Sequence, residues 1–156
     1  MSMPEPRGFR YSLQPLRTKC NWDLLALQQD LSHCRQDIKA CQDLAWQLET
    51  DRNCALDRLS QLHAQQRTFF ADSQRLLHAY IDQQTQALSK AKAKLDQHEV
   101  RRDQLVAEIH RLQKFADELE QDHSDSVREH LRGQDKQASQ EADDAWLRRK
   151  FGRMGT

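Results

Sequence analysis

The sequence predicts an all-α protein, a long two-helix antiparallel coiled-coil hairpin. Three observations carry this expectation. No glycine or proline occurs between Pro15 and Gly133, which leaves residues 16–132, 117 in all, without a helix breaker. Apolar residues recur through that stretch at alternating spacings of four and three. Finally, 31% of residues are charged, 37% are apolar and only 6% are aromatic. Such a chain cannot fill a thick core and suits a structure that buries one narrow stripe.

Residues 1–15 hold all three prolines (Pro4, Pro6, Pro15) and Gly8, and are expected to form a flexible N-terminal segment. Residues 16–150 are expected to form a single coiled-coil hairpin. Leu, Gln, Ala, Arg, Lys, Asp and Glu dominate it, most of them good helix formers. Stepping by four and three from Cys20 reaches Leu24, Leu27, Leu31, Cys34, Ile38, Cys41, Ala45, Leu48, Arg52, Ala55, Leu59, Leu62, Gln66, Phe69, Ser73, Leu76 and Tyr80. Only Arg52, Gln66 and Ser73 among these are polar. A sustained 3.5-residue repeat keeps one seam turned toward a partner helix.

A second register runs Leu88, Ala91, Leu95, His98, Arg102, Leu105, Ile109, Leu112, Ala116, Leu119, His123. It then slips through Val127 to Leu131 in steps of four, as a stutter does, and thins to Ala138, Ala142 and Ala145. The change of register after Tyr80 places a fold-back between Phe70 and Gln86, with arms of about 16–80 and 86–150. On that geometry Gln66 would oppose His98 and Arg102 in a shared polar layer. A parallel homodimer of unbroken helices is the alternative arrangement. Residues 151–156 form a basic tail.

Composition narrows the function. Lys plus Arg and Asp plus Glu both number 24, so the net charge is zero and there is no global pull toward nucleic acid or anionic lipid. The longest aliphatic run is Leu24–Leu27, far short of the roughly 20 apolar residues that span a bilayer. Residues 1–6 lack a basic region followed by an apolar stretch, so no secretory leader is expected. Cys20, Cys34, Cys41 and Cys54 are read as free thiols in a reducing cytoplasm, the first three as small hydrophobes on the seam.

No Cys-x-x-Cys pair, His-x-x-x-His pair or phosphate-cradling glycine loop occurs. The acidic run Asp117, Glu118, Glu120, Asp122, Asp125, Glu129 reads as a solvated face. No cofactor, metal, nucleic acid or direct membrane insertion is expected, and the chain is read as a non-enzyme that works by binding proteins.

Two surfaces exceed that bland reading. Around the expected bend, Phe69/Phe70, Leu76/Leu77 and Tyr80/Ile81 form apolar doublets wider than one partner helix covers. Both termini are aromatic and basic: Arg7, Phe9, Arg10, Tyr11, Arg17, Lys19 and Trp22 at the start, Trp146, Arg148, Arg149, Lys150, Phe151 and Arg153 at the end. In a hairpin these termini are expected side by side, as one positive aromatic end suited to an acidic protein partner.

The same termini carry a family resemblance. Gly8-Phe9-Arg10-Tyr11-Ser12-Leu13-Gln14-Pro15-Leu16 resembles the opening of the FliJ/YscO family, the central stalk proteins of bacterial type III secretion. The tail Gln140-Glu141-Ala142-Asp143-Asp144-Ala145-Trp146-Leu147-Arg148-Arg149 is similar to the family's closing pattern, with Glu141 where Lys is common and Ala145 where an acidic residue is usual.

The resemblance implies an antiparallel coiled coil, similar to the γ stalk of rotary ATPases. Its paired ends would insert into a hexameric export ATPase and promote assembly or activity, through Phe9, Leu13, Leu16, Gln140, Asp144, Trp146 and Arg149. The tip, Phe69, Phe70, Leu76, Leu77, Tyr80 and Ile81, would meet the export gate protein or secretion chaperones. It implies a cytoplasmic location, peripheral to an inner-membrane export apparatus of a flagellum or a host-directed injectisome. The competing readings are a homodimeric coiled-coil scaffold or tether and a chaperone-like adaptor unrelated to secretion.

Overall fold

Proline at the first turn of a helix costs nothing, because its missing N–H would have no intrahelical acceptor. Pro15 occupies that position in α1 (Gln14–Ala64, 51 residues), whose opening hydrogen bond runs from the Arg17 N–H to the Leu13 carbonyl at 3.0 Å. The second helix, α2 (Ala71–Gly152, 82 residues), begins with Asp72 in its first turn and ends with Arg149 and Lys150 in its last. Both placements complement the helix dipole. These are the two helices of an all-α helical hairpin, seen in a computed structural model that describes residues 5–64 and 71–153. No strand occurs among the described residues.

The chain divides into two compact units, Leu25–His110 and Met1–Leu24 with Arg111–Thr156. Inside Leu25–His110 the interior is a single seam. Cys34, Ile38 and Leu105 form one cluster, with Leu27, Leu31 and Leu95 packed against it. Ala45, Leu88 and Ala91 form another, with Leu48 beside it. As α1 advances from Cys34 to Ala45, its partners on α2 fall back from Leu105 to Leu88, so the pairing is antiparallel. The Cys34 thiol also donates to the His98 carbonyl at 3.2 Å. Within the other unit the Cys20 thiol contacts the Leu112 carbonyl at 3.7 Å, and Tyr11 reaches Leu119 and Asp122. That pairing is antiparallel too.

Every expected seam position from Cys20 to Leu62 and from Leu88 to His123 is buried or half-buried. Three expectations need correction. The arms are α1 and α2 as given above, not 16–80 and 86–150, and the chain reverses between Ala64 and Ala71. Accordingly Leu76 is 72% and Tyr80 41% exposed, and Ser73 is exposed. The half-buried residues there are Gln74, Leu77, Ile81 and Gln84, which step by three and four into Leu88. The second register therefore starts at Gln74, and its two glutamines mask it in the sequence.

The expected polar layer of Gln66 with His98 and Arg102 rests on Gln66, which lies outside the described residues; His98 itself stands opposite Cys34, whose thiol donates to its carbonyl. Other polar seam atoms are Arg52 Nε and Gln84 Oε1, both buried without a hydrogen-bond partner among the described residues. The stutter resolves with His130 half-buried and Leu131 exposed.

Finally, the N-terminal segment is not free of the helices. From Glu5 onward it packs against α2, with Tyr11 buried, because its aromatic rings find partners there.

Candidate interaction surfaces

The N-terminal segment is shaped by one turn. The Phe9 N–H donates to the Pro6 carbonyl at 3.1 Å, and Gly8 sits between them at φ 82°. A positive φ at the third position is what a type II turn requires, and glycine adopts it without strain. The turn aims Phe9 and Tyr11 at α2. Being two residues apart in non-helical chain, both rings fall on the same side. Phe9 lies against His123 and His130, with ring centroids 5.8 and 5.4 Å away. Tyr11 meets the His123 ring edge-on at 5.0 Å.

Polar contacts complete this clasp. The Tyr11 hydroxyl donates to Asp122 Oδ2 at 2.6 Å and lies 3.3 Å from the Leu119 carbonyl. Glu5 Oε1 stands 3.5 Å from His123 Nε2. Arg17 grips Glu120 with two donors, Nε to Oε2 at 2.8 Å and Nη2 to Oε1 at 2.9 Å. A forked pair like this holds an orientation, although its exposure limits its energy to about 1 kcal/mol or less. Burial of the phenol, then its bond to the Asp122 carboxylate, pushes the Tyr11 pKa up to about 12. Burial, then Asp23, likewise pushes the Cys20 thiol up. All four cysteines are free thiols.

Beyond the clasp α2 continues alone. From residue 131 to 153 every residue is exposed except Ala145, which is half-buried. Gly133 interrupts neither the helix nor its surroundings. Near the end, Lys150 Nζ stands 4.6 Å from the Trp146 ring centroid, a cation–π contact that shields part of an indole otherwise 58% exposed.

The structure distributes the expected site residues as follows. Phe9 is half-buried in the clasp, while Leu13 and Leu16 are exposed at the start of α1. Gln140, Asp144, Trp146 and Arg149 are all exposed on the free end of α2. Gln140 and Asp144, four apart, share one face; Trp146 and Arg149, three apart, share a roughly opposite one. The two termini do not lie side by side, which corrects the expectation of one joint aromatic end. Phe9 reaches His130, and Trp146 follows sixteen residues later, about 24 Å farther along the helix at 1.5 Å per residue. The cause is unequal lengths: α2 is 31 residues longer than α1 (82 against 51).

At the other surface, Leu77 and Ile81 turn into the seam while Leu76 and Tyr80 face outward, the reverse of the expected assignment. Phe69 and Phe70 lie outside the described residues. Glu5, Glu120, Asp122 and His130 were not singled out as site residues by the sequence. The one signal available was the alternation of Phe9 and Tyr11 before a helix start.

No three His, Cys, Asp or Glu side chains gather as a metal site would need among the described residues, and no helix there is long and apolar enough to cross a membrane. Compared with protein-family models, curated proteins and solved structures, the chain matches none of them.

Proposed function

We propose that this chain is a non-enzymatic central stalk of a bacterial type III protein export apparatus, cytoplasmic and peripheral to the inner membrane. In this reading the free end of α2 enters a hexameric export ATPase and promotes its assembly or activity. Outward residues near the reversal, Leu76 and Tyr80, meet the export gate protein or secretion chaperones. The hairpin carries contact between proteins and performs no chemistry itself.

The observation that supports this most is the 131–153 extension, a helix without a partner helix that presents Gln140, Asp144, Trp146 and Arg149 to solvent. These are the residues that the tail's likeness to the stalk family marks. Their exposure leaves them available to a ring-shaped partner. The N-terminal set has a different part in this reading: Phe9 anchors the clasp, and only Leu13 and Leu16 remain outward. The ATPase contact therefore rests on one helix and not on a matched pair of ends.

The test is direct. The purified chain is added to a type III export ATPase, and binding and ATP hydrolysis are measured beside a Trp146→Ala, Arg149→Glu variant. Binding with altered hydrolysis, weakened at least tenfold in the variant, supports the stalk. No binding by the intact chain sinks it. A scaffold or chaperone-like adaptor is then the reading to pursue, since Leu76, at 72% exposure, is an apolar contact still in need of a partner.

A further inference from the structure

Along the free end of α2 one stripe is continuous with the buried seam. The seam's last covered residue is His130, and beyond it Ala138, Ala142 and Ala145 recur at spacings of four and three, the first two exposed and Ala145 half-buried. Small residues at that spacing let a second helix approach closely. The charges along this segment are sorted into blocks, with Glu141, Arg148 and Arg149 nearest the stripe. Glu141, Asp143 and Asp144 come first, then Arg148, Arg149 and Lys150.

Within one helix these blocks satisfy each other poorly. Glu141 and Asp143 have no basic residue three or four positions away in either direction, and Arg149 has no acidic one. Among the described residues none of Glu141, Asp143, Asp144, Arg148 or Arg149 takes part in an ion pair. Lys150 is engaged only with the Trp146 ring.

We propose that this end pairs with the same end of a second copy of the chain, antiparallel, over roughly residues 138–153. Antiparallel overlap centred near Ala145 and Trp146 sets the acidic block of each copy against the basic block of the other. It also covers both alanine stripes. Parallel overlap would set acid against acid and base against base. The antiparallel contact is isologous, so a twofold axis closes it as a dimer and it does not propagate. Such a dimer covers Trp146 and Arg149, which lie toward the stripe, and leaves Gln140 and Asp144 on the far face, so pairing and any use of Trp146 and Arg149 by another protein exclude each other.

The prediction concerns the purified chain alone and does not depend on the stalk reading. Sedimentation equilibrium at low salt is expected to show mass rising toward twice the monomer as concentration increases, and falling back as added salt screens the charges. Two variants decide the mechanism: Arg148→Glu/Arg149→Glu/Lys150→Glu and Glu141→Lys/Asp143→Lys/Asp144→Lys. Each alone should stay monomeric, with helix content by circular dichroism unchanged, and their equimolar mixture should recover the dimer. A wild-type chain that stays monomeric throughout overturns the proposal. So does a reversed variant that still self-associates, or a mixture that does not pair. If either variant loses helix content, Ala142→Glu replaces it as the single-site probe and must abolish the mass increase. Loss of ATPase binding with dimerisation intact would refute the stalk reading alone.

Discussion

The Tyr11 hydroxyl stands 2.6 Å from Asp122 Oδ2, although 111 residues separate the two in sequence. This one contact ties a non-helical segment to the middle of the long helix. It explains why the seam stays partly covered past the start of α1. Phe9 extends the cover by about two more turns, to His130. Where the clasp ends, α2 is bare.

Removing that hydroxyl tests the clasp. Tyr11→Phe keeps the ring against His123 and deletes the hydrogen bond, while the exposed Asp122 carboxylate returns to water. The expected loss is about 1 kcal/mol, measured by urea unfolding followed by circular dichroism. Gly8→Val should add to it, since φ 82° strains a β-branched residue. Stability unchanged in both variants would mean that the segment is not docked in solution.

The clasp is also sensitive to alkali. A phenol whose folded pKa is raised to about 12, against an ordinary value near 10, keeps its proton more firmly in the folded state. Its contribution is therefore complete below pH ~10 and disappears as pH climbs through about 12. In a Tyr80→Phe background Tyr11 is the only tyrosine. The phenolate absorbance should then titrate with a midpoint near 12. A midpoint at the ordinary tyrosine value refutes the burial.

Leu105 is 1% exposed and sits in the cluster with Cys34 and Ile38. Leu105→Ala removes packing from the best-buried position and should cost about 2–5 kcal/mol in chemical denaturation. A loss under about 1 kcal/mol would show that the two helices do not close on one another there.

Adjacent leucines near the reversal report the register. Leu77→Ser places a hydroxyl in the seam and should cost roughly 1–3 kcal/mol. Leu76→Ser, on the outward side, should stay within about 0.5 kcal/mol of the parent chain. Comparing the two midpoints in urea settles which series forms the interface, and the opposite ranking would restore the Leu76/Tyr80 register.

Gly133 lies inside the exposed part of α2, and a Cβ there would meet nothing within 4 Å. Gly133→Ala should stabilise that turn by about 1 kcal/mol through helix propensity alone. Slower amide hydrogen exchange around residue 133 is the expected readout. Unchanged exchange would mean that the turn is already held by something else.

Much of this was readable from the chain itself. Between Cys20 and Leu62, and between Leu88 and His123, nearly every interior position is an aliphatic or small residue at a strict 3.5-residue period, and the structure buries those positions. Between residues 73 and 80 the apolar period points to the wrong face for a local reason. Leu76 and Tyr80 happen to continue the first series, whereas the true seam passes through Gln74 and Gln84, which carry no apolar signal. A period reveals where a stripe runs, but two overlapping stripes differing by one residue look alike until the reversal is located.

What the sequence alone determined is the kind of object: without breakers, and with a repeating apolar stripe too narrow for a thick core, the backbone can satisfy its hydrogen bonds and bury its side chains only as paired helices. Which residue faces which was decided by the tertiary structure. The reversal between Ala64 and Ala71 leaves α2 longer than α1, and that inequality separates Phe9 from Trp146, seats Tyr11 on Asp122 and leaves residues 131–153 bare. Such pairings join residues a hundred positions apart, and no local period encodes the point at which the chain turns back.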